Sequence, residues 1–106
     1  MTQIIYGIKT CDTCRKARKA LPDAHFHDIR ETPLDSATIT RFLSAFGDAL
    51  VNKSSTTWRA LPEEDRARAP AELLLAHPTL MKRPVIDTGD TVYLGWKQDV
   101  QSRLGV

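Results

Sequence analysis

Cysteine is scarce in this chain: 106 residues contain two, Cys11 and Cys14. Two cysteines cannot form the multi-disulfide framework of a small secreted scaffold. Long hydrophobic runs are missing too. The longest apolar clusters, Ile4-Ile5-Tyr6 and Leu73-Leu74-Leu75-Ala76, fall far short of the ~18–20 residues that cross a bilayer. Charged and polar residues from Lys9 to Lys19 stand where a signal peptide would need its apolar stretch. Neither sign of charge dominates: 15 Lys and Arg against 13 Asp and Glu leave a net +2, short of a dedicated nucleic-acid binder. Repeats, low-complexity tracts and linkers are absent. The expectation is a cytoplasmic monomer with no membrane partner and no direct nucleic-acid partner.

What is present is ordinary globular material. Hydrophobic residues make up 42% and charged residues 26%, enough apolar content to offset chain entropy. The length suits one domain with one core and no deep cleft between lobes. A functional site is therefore expected on a surface shelf.

Gln3 to Ile8 reads as a short buried strand, β-branched and aromatic. Residues 11–21 read as a helix whose narrow apolar face carries Cys14, Ala17, Ala20 and Leu21, and Pro22 stops it. His25 to Ile29 alternates like a second strand. Strand, helix and strand in so short a stretch form a βαβ unit with a parallel pair. Asp35 or Ser36 can cap a helix bearing Ile39, Phe42, Leu43 and Phe46, with Gly47 at its end. Residues 51–59 read as polar and irregular. Pro62 and the acids Glu63, Glu64 and Asp65 suit the first turn of a short helix, Pro70 interrupts, and another short helix spans 71–77 until Pro78 ends it. The runs 84–87 and 91–94 flank Thr88-Gly89-Asp90 as a hairpin. Trp96, Val100 and Leu104 recur every four residues, as in a final helix. This order implies an α/β fold, one mixed sheet with helices on both faces.

The cysteines sit at the strand-to-helix junction. Unpaired N–H groups and the helix dipole place partial positive charge at Cys11, and Lys9 and Arg15 add to it. Such surroundings lower a thiol pKa. Cys14 lies one turn further in, on the apolar face. The asymmetry suits an attacking Cys11 and a resolving Cys14. A C-x-x-C beside a βαβ pattern is a thioredoxin-like redox signal. Two other readings stay open: a zinc site shared with His25 and His27, despite non-standard spacing, and two unreactive reduced thiols.

Arg83-Pro84 opens a strand, where a proline belongs at an edge or in a special turn. A cis and a trans peptide are both open, and Arg83 is either an anion fork or a solvated side chain. Otherwise, His25 and His27 read as surface or partly buried histidines on one strand face, His77 as a helix-ending residue, and Trp58 as a lid on the core.

Three segments carry a family resemblance: residues 5–13 (Ile-Tyr-Gly-Ile-Lys-Thr-Cys-Asp-Thr), 55–61 (Ser-Thr-Thr-Trp-Arg-Ala-Leu) and 81–85 (Met-Lys-Arg-Pro-Val). They resemble the YffB-like branch of the ArsC/Spx family. Cys11 to Arg18 is also similar to the redox motif of Spx regulators. His77-Pro78, Arg83-Pro84 and Leu94-Gly95-Trp96 match the family's C-terminal half. The resemblance implies a thioredoxin-like fold of about four strands, with a helical insertion near residues 35–80 after the first βαβ unit. It implies that Cys11 is the active thiol and that Pro84 is a cis-proline. Arsenate reductases of this family hold the oxyanion with three arginines. Arg83 matches one of them, whereas Asn52, beside Lys53, and Gly95, two residues before Lys97, stand at the others.

YffB-like proteins are thought to bind glutathione and reduce thiol disulfides. The leading expectation is thus a glutathione-dependent thiol–disulfide reductase with Cys11 and Cys14 as redox residues. Lys9, Thr10, Asp12, Thr13, Arg15, Arg83 and Pro84 are expected to form the glutathione and substrate shelf, with Lys9 and Arg83 on carboxylates. No metal or organic cofactor is expected, and glutathione acts as co-substrate to a disulfide partner. The alternatives are a glutathione-linked arsenate reductase and an Spx-like redox regulator that binds RNA polymerase.

Overall fold

A computed structural model describes residues 3–106 of the chain. They divide into two compact units. One comprises the residues up to Thr32 together with Arg83–Val106, and the other is Pro33–Lys82.

The first unit is built on a four-stranded sheet. Strand β1 (Ile4–Gly7) pairs in parallel with β2 (His25–Asp28), in register Ile4 to His25 and Gly7 to Asp28. Helix α1 (Asp12–Ala20) makes the crossover between them. On its other side β1 pairs antiparallel with β3 (Val85–Asp87), which pairs antiparallel with β4 (Val92–Leu94). The order is β2-β1-β3-β4. The chain enters β3 from Pro84, whose carbonyl accepts the Gly95 N–H at 2.8 Å. β3 is an inner strand, so of the two places open to a strand-opening proline, an edge or a special turn, the edge does not apply. Pro84 stands just ahead of it and so removes no donor from its ladder. The 88–90 turn between β3 and β4 contains Gly89 at φ 96, a conformation glycine adopts without steric cost.

Ile5, Ala17, Leu21 and Ile86 form this unit's core, and Phe26, Tyr93, Trp96 and Leu104 pack against it. Ile5 and Ile86 are fully buried, each contributing ~1.5–3 kcal/mol through removal from water. Ala20, expected on the buried face of α1, is exposed. It lies 60° or more around the helix from the Cys14–Ala17–Leu21 stripe at ~100° per residue. Helix α6 (Gln98–Leu104) starts after Trp96, and the Gln101 side chain donates to the Trp96 carbonyl at 2.9 Å. Val100 is buried beneath it.

The second unit is mostly helical. In α2 (Ser36–Phe46) Asp35 caps the N-terminus through Thr38 N–H at 2.8 Å, and Gly47 at φ 60 closes the C-terminus. Ile39 and Phe42 of α2 are buried, and the helix packs against α5 (Pro70–Ala76), which buries Leu73 and Leu74. Pro70 occupies the first turn of α5, where the missing N–H has no helical partner to lose, so it begins the helix and does not interrupt it. Two shorter helices, α3 (Thr56–Ala60) and α4 (Glu63–Arg66), lie between. The expected irregular segment thus contains a helix. Ser55 caps it by accepting the Trp58 N–H at 3.1 Å, a local signal that the polarity of the stretch concealed. Turns of 3-10 helix at Gly47–Leu50 and Pro78–Leu80 precede a bridge between Val51 and Met81.

Candidate active site

The loop between β1 and α1 is tied down at each step. The Cys11 N–H donates to the Ile8 carbonyl at 3.0 Å, and the Cys11 carbonyl accepts the Arg15 N–H that begins α1. The Lys9 N–H donates to Asp28 Oδ2 at 3.0 Å, while the Lys9 carbonyl accepts Arg15 Nε at 3.1 Å. Asp28 Oδ1 accepts the Arg30 and Glu31 N–H groups as well. One buried carboxylate therefore joins the end of β2 to the cysteine loop. Burial would raise its pKa, but the N–H groups of Lys9, Glu31 and Arg30, with the Arg30 charge, hold Asp28 below the ordinary 3.8.

Cys11 is the N-cap residue of α1, with extended backbone, and is half-buried. The N–H groups of the first turn, left without helical partners, lie on its side of the helix. Burial opposes ionisation. The Cys14 N–H and thiol, the Arg83 charge and the Thr13 N–H outweigh it, and the Cys11 thiol lies below the ordinary 9.0. Cys14 behaves oppositely. It is buried against Gly7, Phe26 being the other neighbour of that glycine. Burial, and beyond it the Cys11 thiol and thiolate, push Cys14 up to about 12 despite the Ile8 N–H and Arg83. The two sulfurs thus have well-separated acidities one turn apart, although both are cysteines of one motif.

A β-carbon on Gly7 would collide with Cys14 Sγ and lie 3.2 Å from Cys14 Cβ. Gly7 lies in the strand read there, and its missing side chain makes room for the second thiol. The sequence spacing gave no sign of this contact, nor of the Asp28 anchor.

The other expected shelf residues belong to the same unit. Arg83 is half-buried, and its charge acts on both cysteines; Pro84 is fully buried, and the Arg83–Pro84 peptide is cis. Thr10, Asp12 and Thr13 are exposed around the helix start. Lys9 Nζ pairs with Glu31 at 3.0 Å, and Arg15 lies 3.8 Å from Asp12, both at the surface, where such pairs contribute ~0–1 kcal/mol and exchange readily for another anion. His25 is exposed, while the His27 ring lies tilted against Tyr6 with centroids 5.0 Å apart and bonds the Thr32 carbonyl. Among the described residues no three His, Cys, Asp or Glu side chains gather as a metal site. Likewise, no helix among them is long and apolar enough to cross a membrane.

In the helical unit, Asn52 turns its Oδ1 to the Ser54 N–H at 3.0 Å, and Trp58 is half-buried beneath Lys53 and Arg66, 5.7 and 5.8 Å from its ring.

The chain is similar to known proteins over nearly its whole length. A protein of Haemophilus influenzae is 41% identical over 89% of this chain and 90% of its own. A solved YffB protein superposes with a TM-score of 0.88 at 34% identity, covering 96% of this chain and 97% of that one. A solved arsenate reductase (ArsC) related protein from Brucella melitensis gives 0.74 at 37% identity over 100% and 97%. An arsenate reductase from Vibrio cholerae, 17% identical with a TM-score of 0.75, shares the fold. The four-stranded mixed sheet with its flanking helices is the thioredoxin-like arrangement of these neighbours. The ArsC family model matches residues 6–103, and the chain belongs to the ArsC family.

Proposed function

We propose that the protein is a thiol-based reductase of disulfides that draws its electrons from glutathione. The observation that carries this reading is the opposite perturbation of two thiols one helical turn apart: Cys11 lowered, Cys14 raised to about 12. Cys11 thiolate attacks one sulfur of a substrate disulfide. The S–S bond breaks, a Cys11 mixed disulfide forms, and the departing thiolate takes a proton from water. Cys14 then gives up its proton and attacks the Cys11 sulfur, releasing the second substrate thiol and leaving a Cys11–Cys14 disulfide. The substrate gains two electrons and the protein loses two. Two glutathione molecules restore the dithiol and leave as glutathione disulfide. The high pKa of Cys14 keeps it protonated until Cys11 has become a neutral disulfide sulfur; burial still holds it up, but the charge and bond of Cys11 that add to burial are then gone.

Mass spectrometry of the reduced protein after exposure to glutathione disulfide tests the scheme. An intramolecular disulfide is expected in the wild type, and a stable glutathione adduct on Cys11 in Cys14→Ser. An adduct on Cys14, or no reaction, overturns it.

The likeness to an arsenate reductase related protein raises a second reading, arsenate reduction. Arg83 suits an oxyanion, but Gly95 offers no side chain, and Asn52 presents a neutral carboxamide whose oxygen is bonded to Ser54. A neutral donor binds an oxyanion about half as strongly as a charge-assisted pair. Disulfide is therefore the favoured substrate. Robust turnover with arsenate and glutathione would reverse that order.

A further inference from the structure

A shallow groove of about 560 Å³ follows α1 along the sheet unit and is lined by Arg15, Arg18, Lys19, Pro22, His25 and Phe26 among others. Its lining includes two arginines, a lysine and an exposed histidine, and no carboxylate. Among the described residues no acidic side chain pairs with Arg18 or Lys19. So dense a run of cations on a chain of net charge +2 is a local concentration, not a general property of the surface.

Its position relative to the thiol follows from helical spacing. Arg15 and Arg18 stand at i and i+3 on one face of α1, whose N-cap is Cys11, and Pro22 follows just past its end. Arg18 lies ~10 Å along the axis from Cys11 at ~1.5 Å per residue. An extended peptide advances ~3.3 Å per residue, so a side chain about three residues from a cysteine docked at Cys11 overlies Arg18. The Arg18 guanidinium lies 4.3 Å from the centroid of the Phe26 ring. That stack leaves its N–H edges free to fork a carboxylate and covers the ring face on which a nucleobase would stack.

We propose that this groove docks the acidic flank of a protein whose disulfide is reduced at Cys11. The proposal rests on the reading of Cys11 as the attacking thiol and names its substrate class: a polypeptide disulfide with Asp or Glu about three residues from the attacked cysteine.

The test uses the full chain, reduced beforehand so that no other electron donor is needed. Three peptides carry one cysteine as a mixed disulfide with 2-thiopyridine, flanked by acidic, neutral or lysine residues. Cys11 thiolate attacks the peptide sulfur, the peptide becomes disulfide-linked to Cys11, and the released thiopyridone is followed by absorbance. The acidic peptide is expected to react about tenfold faster than the neutral one at low salt, with the advantage shrinking as salt rises. Arg18→Glu/Lys19→Glu should remove the preference and Arg18→Gln/Lys19→Gln reduce it, while both react normally with the small neutral bis(2-hydroxyethyl) disulfide, which also reports that they fold. Equal peptide rates in the wild type, a preference that survives charge reversal, or displacement by single-stranded RNA without any preference among peptides overturns the groove. Failure of wild-type Cys11 to react with the small disulfide instead overturns the thiol assignment beneath it.

Discussion

Asp28 accepts the Lys9 backbone N–H at 3.0 Å across 19 residues of chain, and this single bond joins the end of β2 to the loop that presents Cys11. Because the same carboxylate takes the N–H groups of Arg30 and Glu31, it has three donors and no acceptor facing it. Asp28→Asn must turn an NH2 toward at least one N–H. A charge-assisted bond is worth ~1.5–3 kcal/mol, so the variant should lose about 2 kcal/mol in urea unfolding. It should also blur the separation in alkylation rate between Cys11 and Cys14. With the folded pKa held below 3.8, Asp28 stabilises the protein above that pH, and the contribution fades as pH falls below it. The variant's stability should therefore converge on the wild type in acid. Parallel pH profiles would show that the anchor is not ionic.

Gly7 and Cys14 are fitted to each other. Gly7→Ala drives a methyl into a buried sulfur, and overpacking of this kind costs ~1–3 kcal/mol. In a Cys14→Ala background the collision with Sγ disappears, so the second change should cost clearly less than in the wild type. Additive losses in a double-mutant cycle by urea unfolding would show that the sulfur is not what excludes the side chain.

Arg83 lowers the thiol it faces. Arg83→Gln should shift the pH midpoint of Cys11 alkylation upward, and Arg83→Lys, which keeps the charge, should restore most of the shift. Calorimetric titration with glutathione should show weaker binding to Arg83→Gln while its unfolding midpoint changes little. An unmoved alkylation midpoint would remove Arg83 from the electrostatics of the site.

Cys14 makes stability depend on alkaline pH. Its folded pKa of about 12 exceeds the ordinary 9.0, so its contribution is complete below pH 9 and is lost as pH rises toward 12. The slope through that window approaches ~1.4 kcal/mol per pH unit. Cys14→Ala should flatten that slope in urea titrations, with the remaining lysine and tyrosine titrations common to both proteins. An equal slope in the variant would place the thiol in a wetter site than the structure gives it.

Much of the sheet unit was legible because its signals are local. The β-branched run of β1, the apolar stripe Cys14–Ala17–Leu21 and the turn residues around Gly89 each specify an element within a few residues. The helical unit was less legible around residues 51–59. There a Ser55 cap, worth ~1 kcal/mol, begins a five-residue helix that carries no apolar periodicity. Pro70 misled in the other direction, since a proline that breaks a helix interior is suited to its first turn. The site was legible as a pair of cysteines at a helix start, but not as a supported structure: Asp28 and Gly7 are a buried acid and a strand glycine whose partners lie 19 and 7 residues away.

The sequence alone determined that Cys11 stands at the start of a helix and Cys14 one turn behind, because a strand, a polar turn and an amphipathic helix follow one another without interruption. Tertiary structure decided how unlike the two thiols are. Parallel pairing of β1 with β2 brings Asp28 beside the cysteine loop, and antiparallel pairing of β1 with β3 brings Arg83 to the same end of the sheet. Packing of α1 on β1 buries Cys14 against Gly7. Charge and burial act through space, so the two acidities are set by neighbours that are remote in the chain.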